Sequence, residues 1–329
     1  MRIAKKTIIL VELLLILGLL FWVFMLYHDQ STNASSENVN YSLLSPRINA
    51  NLLQPNSYLV MNYDPLEEEF RTFIEQNNLS MSIYVENMRD GAAMSINGHR
   101  TYLSGSMGKL PIAIMIMERV QRGELSLDTN LSILEEDKDS YSGNFYQENV
   151  TEAPVSLLLS KMLQESDNTA LYVLVRNTDP NDYVLLLEKY YGYYDQSLPD
   201  EDTENVVNPI SMYNMYSSLY LSTVLDAENS QYLLELLSNT TFPIHEIAQI
   251  PSDVIIAQKY GVRYDGDNQY FHDCGIMYID DMRVFYCIMT EDLDPETGEL
   301  VVGQVVNRIY TYSLEKRDEL DEYAQNNKT

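Results

Sequence analysis

The chain has 329 residues, 45% of them hydrophobic and 21% charged, enough for one large or two modest domains around a sizeable core. Its 49 acidic side chains against 21 basic ones leave a formal net charge of −28, which argues against nucleic acid as a partner and against docking of the bulk domain on an anionic membrane surface. Two cysteines and four scattered histidines without an HExxH pattern exclude a disulfide-stapled miniprotein and a cysteine-rich zinc site, and they argue against a zinc hydrolase.

In chain order, residues 1–6 carry Arg2, Lys5 and Lys6, and Thr7 to Tyr27 follows as an apolar run whose one charge is Glu12. At about 1.5 Å per residue this run is long enough to cross the roughly 30 Å hydrocarbon layer. The basic residues before it place the N-terminus in the cytosol and the rest of the chain outside, by the positive-inside bias. Phe21 to Tyr27 is bulky to its end, which favours an uncleaved anchor over a signal peptide with small residues at a cleavage site. Residues 28–57 are rich in Ser, Asn and Gln and read as a stalk.

Residues 58–314 read as one globular domain, followed by a charged tail over 315–329. A helix is expected from Pro65, with Leu66, Phe70, Phe73 and Ile74 on one face. Strands follow at Ser80 to Asn87 and Ala92 to Gly98, joined by a turn at Arg89-Asp90-Gly91. A mainly helical middle covers Leu110 to Arg122, stopped by Gly123, then Val155 to Leu163, Thr169 to Arg176, Pro209 to Leu225 and Tyr232 to Ser238. Strand character returns at Ile255 to Lys259, Gly275 to Ile279 and Val284 to Thr290, and a closing helix covers Val302 to Leu314. This order predicts an α/β protein of the α+β type. Its N- and C-terminal strands meet in one antiparallel sheet, flanked by helices and a helical lobe.

Three short motifs carry the chemistry. Ser106-Met107-Gly108-Lys109 opens the first apolar helix, with hydroxyl and amine one turn apart on one face and oriented N–H groups beside the hydroxyl. Alone the pattern is weak, since Ser313-Leu314-Glu315-Lys316 matches it without meaning. Ser166-Asp167-Asn168 alone reads as a capped helix break, and Lys259-Tyr260-Gly261 alone as a solvated strand end. In this order, S-x-x-K, S-D-N and K-x-G together resemble the penicillin-recognising serine enzymes, and the class A β-lactamases in particular. The resemblance spans roughly Pro65 to Tyr312. It includes Arg122-Gly123-Glu124-Leu125 after the first helix, His272-Asp273-Cys274-Gly275 on a later strand, and Tyr141 at the mouth of the site.

The resemblance implies a β-lactamase/transpeptidase-like fold and a set of roles. Ser106 is the nucleophile, Lys109 helps remove its proton, and Ser166 relays a proton to the leaving nitrogen. Asn168 orients the lysine and the substrate side chain, Lys259 attracts the substrate carboxylate, and backbone N–H groups of Ser106 and Val262, beside Gly261, form the oxyanion hole. No metal or cofactor is implied. The expected partners are a small-molecule β-lactam or a cell-wall peptide, with the membrane engaged through the N-terminal helix.

Two departures from the family pattern matter. Tyr260 replaces a small hydroxyl residue, so the phenol either points away or narrows the pocket, while Arg263 is near enough in sequence to anchor a carboxylate instead. The segment from Gly192 to Pro209 has no E-x-x-L-N pattern to supply the deacylating glutamate. Asp195, Glu201 and Glu204 are among its carboxylates and are the candidates for a substitute base. Without a positioned base the acyl-enzyme persists, so a D,D-peptidase or slow penicillin-binding protein is the first alternative and a silent binding or sensing module the second. Cys274 and Cys287 lie on consecutive strands. A two-residue loop at Asp280-Asp281 sets them opposite each other, within disulfide range, whereas a longer loop turns them to opposite faces as small buried hydrophobes.

Overall fold

A computed structural model describes residues 61–179, 206–280 and 282–326. The expected anchor, the stalk and the loop carboxylates Asp195, Glu201 and Glu204 lie outside the described residues. Among the described residues, no helix is long and apolar enough to cross a membrane.

The first helix, α1 (Asp64–Asn77), starts with Pro65 at its first turn, where a missing N–H costs nothing, and ends with Asn78 in the left-handed region. Strands β1 (Ser80–Asn87) and β2 (Ala92–Ile96) follow. They pair with the C-terminal strands β7 (Ile255–Asp265), β8 (Asn268–Ile279) and β9 (Met282–Glu291) in one antiparallel sheet, in the order β2-β1-β9-β8-β7. The expected single sheet is therefore present. Its C-terminal strands run longer than their apolar stretches, because Tyr264 and Asp265 pair with Gln269 and Asn268 and continue the β7–β8 ladder as a ribbon beyond the core.

Alternation of side chains divides the interior in two. One face of the sheet, including Ala257, Ile276, Phe285 and Met289, packs on the helical lobe. The other, including Ile83, Val85, Ile256, Met277, Tyr286 and Ile288, packs under α1 and the last helix, α8 (Pro295–Asn326). That closing helix extends beyond both expected ends. Asp294 accepts from Thr297 N at 3.0 Å and so caps its start, while Lys316 pairs with Glu319 one turn on and no Gly or Pro interrupts the stretch after Leu314. The lobe holds α2 (Lys109–Gln121), α3 (Val155–Gln164), α4 (Asn168–Arg176), α5 (Pro209–Tyr220) and α6 (Ala227–Ser238). A short helix, α7 (Ile244–Ile247), returns the chain to the sheet. Gly123 ends α2 at φ +72°, the left-handed stop expected of it. Two-residue and three-residue strands, β3 (Tyr102–Leu103) with β6 (Val206–Val207) and β4 (Asn130–Ser132) with β5 (Glu152–Pro154), were not expected, being too short to show a period.

Ile279 opposes Met282, and Cys274 opposes Cys287 and is bonded to it. The pairing of Ile279 with Met282 fixes the register and settles the cysteine alternative in favour of the bridge. Closing so short a loop contributes roughly 2–3 kcal/mol.

Candidate active site

Ser106 lies in a single 3₁₀ turn (Gly105–Gly108) that leads into α2, and Lys109 is the first residue of that helix. Residues Lys109 to Met117 of α2 are buried on every side, so the helix is a central pillar of the lobe and carries its amine into the interior. Lys109 Nζ lies 3.0 Å from Ser106 Oγ, 3.1 Å from Ser166 Oγ, 2.5 Å from Ser166 O and 2.8 Å from Asn168 Oδ1. The last two are pure acceptors. A neutral amine that donates its two N–H groups to them keeps its lone pair for a hydroxyl, as proton abstraction from Ser106 requires. Burial pushes the Lys109 amine down to about 7, against the opposing pull of the Asp167 and Asp139 carboxylates.

Lys259, on β7, is fully buried and reaches the same hydroxyl from the other side, with Nζ 3.1 Å from Ser166 Oγ and 2.9 Å from Tyr260 O. Burial, and then repulsion from Lys109, hold its amine well below the ordinary lysine value. Ser166 thus bridges two lysines from a backbone at φ +56°, a conformation a non-glycine residue keeps only where its surroundings impose it.

Those surroundings are the segment before it. Ser142 O accepts from Asn168 N at 2.9 Å, and Ser142 Oγ donates to Ser166 O at 2.7 Å. Buried Asp167 accepts from Phe145 N and, as the N-cap of α4, from Ala170 N, both at 2.9 Å. The capped helix break expected of Ser-Asp-Asn is present, and the same cap holds Ser166 between the two lysines. Gly143 sits at φ +82°, and a Cβ there would lie 2.0 Å from Asp167 Oδ2. Gly143→Ala is therefore expected to lose about 2 kcal/mol or more of unfolding free energy in a denaturant titration, since the Asp167 backbone blocks retreat. Unchanged stability would mean that the corner relaxes freely.

β7 is the edge strand beside the Ser106 turn, and glycines let the two approach. A Cβ on Gly261 would lie 3.0 Å from Met107 N, and one on Gly105, at φ +50°, would lie 3.2 Å from Val262 N and 2.7 Å from Val262 O. The Val262 backbone is thus set against the Ser106 turn, as an oxyanion hole shared between them requires. Behind this edge, buried His272 joins β8 to β3. Its Nδ1 accepts from Thr290 N at 3.3 Å and its Nε2 lies 2.9 Å from Leu103 O, with burial pushing the imidazole down to about 4.

A cleft of about 880 Å³ opens over these groups and is lined by Ser106, Lys109, Ser166, Asn168, Val262 and Tyr141 among others. Tyr141 stands at its rim, 67% exposed. Lys259 and the Gly261 backbone lie behind the wall. Tyr260 lines the cleft, with its ring stacked on Phe242 (centroids 4.5 Å apart) and Lys259 Nζ 4.6 Å from its centroid. Arg263 also lines the cleft, is exposed and has no ion-pair partner among the described residues. Asp139 and Ser142 belong to the site but were missed, because a lone Asp or Ser in a polar loop has no pattern. The order of acidic and small residues before Phe145 acquires meaning only beside Ser-Asp-Asn.

Fold and site together define a class A β-lactamase-like protein of the penicillin-recognising serine hydrolases. A family model described as "Beta-lactamase enzyme family" matches residues 65–313, and the chain belongs to that family. Relatives include the β-lactamase VEB-1 of Pseudomonas aeruginosa, 19% identical over 274 residues, covering 77% of this chain and 92% of the relative. The extended-spectrum β-lactamase PER-1 of the same organism is 23% identical, covering 76% and 88%. Among solved structures, a β-lactamase from Sphaerobacter thermophilus superposes with a TM-score of 0.67 at 19% identity, covering 78% of this chain and 98% of the other. A PBP-A variant, solved as an acyl-enzyme complex with penicillin G, has a TM-score of 0.65 at 20% identity, covering 77% and 97%. At such identities the structural likenesses establish the fold.

Proposed function

We propose that the chain is a membrane-anchored, extracytoplasmic serine hydrolase that forms an acyl-enzyme on Ser106 with a β-lactam or a related amide or ester. One observation carries the reading: a buried amine with acceptors for two of its N–H groups lies 3.0 Å from Ser106 Oγ, and Ser166 Oγ is shared between that amine and Lys259. In this reading Lys109 takes the proton of Ser106 as the carbonyl is attacked. The oxyanion rests on the N–H groups of Ser106 and Val262, and Ser166 returns a proton to the leaving nitrogen. Lys259 and Arg263 draw the substrate carboxylate to the β7 side, and the apolar run 7–27 holds the domain at the membrane from outside.

The absence of an E-x-x-L-N pattern between Gly192 and Pro209 favours a second outcome, in which deacylation is slow and the protein behaves as a penicillin-binding protein or D,D-peptidase on cell-wall peptides. General-base assistance contributes typically 10²–10⁴-fold, so a missing base gives a long-lived adduct. Incubating the full chain with a fluorescent penicillin and following the label over time separates the cases. The expected result is labelling that persists. Rapid loss of label with turnover of a chromogenic cephalosporin would support an efficient β-lactamase and point to Asp195, Glu201 or Glu204 as the base. No labelling at all would leave a binding or sensing module.

A further inference from the structure

We infer that Asp139 makes this cleft selective for amides whose acyl side chain carries a protonated amine next to its own carbonyl. The inference rests on the acyl-enzyme reading above and names the substrate class of the same site. Among the described residues that line the cleft, Asp139 is the one carboxylate. It is half-buried and held rigidly: its Oδ1 accepts from Tyr141 N at 2.8 Å and from Asn168 Nδ2 at 3.1 Å, and its own N–H donates to Thr169 Oγ1 at 3.0 Å. Its Oδ2 takes no hydrogen bond from a described residue. The carboxylate is therefore fixed in place with one oxygen unused.

Asn168 connects this oxygen to the substrate. Its Oδ1 is taken by Lys109 and one N–H of its Nδ2 by Asp139, which leaves a single N–H to meet a substrate carbonyl. A side-chain carbonyl bound there lies beside Asp139, and an ammonium one carbon further on is within reach of the free Oδ2. The local charges favour that pairing. Lys109 must be neutral to accept the proton of Ser106, so in the reactive state it no longer balances Asp139. Arg263, on β7, lines the same cleft, is exposed and has no ion-pair partner among the described residues. The cleft thus carries one carboxylate, on Asp139, and one exposed guanidinium, on β7, and orients a zwitterion with its ammonium at Asp139 and its carboxylate at Arg263.

Ampicillin and benzylpenicillin are a matched pair of probes, differing by the α-amino group alone. Their rates of adduct formation on Ser106, followed by intact mass on the full chain, are expected to favour ampicillin, and Asp139→Asn is expected to lower the ampicillin-to-benzylpenicillin ratio three- to tenfold. Any effect of the variant on Lys109 falls on both compounds and cancels in the ratio. Asp139→Glu should restore the preference. If the Asn variant does not fold, N-acetylated ampicillin tests the same contact on the unaltered protein and should lose the advantage. Equal losses with both compounds, or an acetylated probe that reacts as fast as ampicillin, would overturn the inference and leave Asp139 as a residue that positions Asn168. If neither compound acylates the unaltered chain, the acyl-enzyme reading itself fails, and this inference with it.

Discussion

Ser106→Ala is expected to abolish covalent labelling by any β-lactam, so that intact-mass analysis after prolonged exposure shows the unmodified chain alone. Three features lead to this expectation. Ser106 lies in the turn that leads into α2, and the start of a helix favours developing negative charge. Its hydroxyl is 3.0 Å from an amine positioned to take its proton. The neighbouring Ser166 is 1% exposed and pinned between two lysines and its own strained backbone, which suits proton relay and not attack on an incoming carbonyl. The side chain is small and half-buried, so its loss should leave the fold intact. An adduct retained on the variant at Ser166 or elsewhere would sink the assignment.

Lys109→Met should reduce acylation by about 10²–10⁴-fold, the usual contribution of a general base, while making the protein no less stable. The stability half of the expectation separates catalysis from folding. A lysine buried in an apolar helix costs free energy that methionine, of similar length and unbranched, does not. The pH dependence carries a sign. Because burial pushes the Lys109 amine down to about 7, the base is protonated below that value and free above it. Acylation by the unaltered protein should therefore rise through an acidic limb near pH 7. A lysine at its ordinary value would place the limb more than three units higher. The limb should vanish in the Met variant, whose residual rate has no such base to titrate. A limb that survives unchanged would assign the proton transfer to another group.

Several parts of this protein were legible along the chain because the physics that sets them is local. The periodic apolar faces of α1 and α3, the left-handed stop at Gly123 and the long apolar runs of β8 and β9 each reflect the packing of one element, and each appeared near its expected place. The ends of elements were less legible. Tyr102–Leu103 is a strand only because Val206–Val207 pairs with it, and β7 continues to Asp265 only because the polar pair Asn268 and Gln269 lies opposite. Strand pairing stabilises residues that have no strand signal of their own.

The site divides in the same way. By itself the sequence determined that the Ser106 hydroxyl and the Lys109 amine meet, because they are one helical turn apart and their meeting needs no other part of the chain. It also determined that Ser-Asp-Asn and Lys-Tyr-Gly belong with them, through the order of the motifs. Tertiary structure alone decided the rest: that Ser166 lies between Lys109 and Lys259, that Tyr260 stacks on Phe242, and that Cys274 meets Cys287. It also decided that an unremarked Asp139 stands in the cleft with one oxygen free. Each of these depends on distances between segments far apart in sequence. Those distances are set by how α2, the edge strand β7 and the corner at Gly143 pack together, and a burial that lowers the Lys109 amine to about 7 exists only once that packing has removed the water around it.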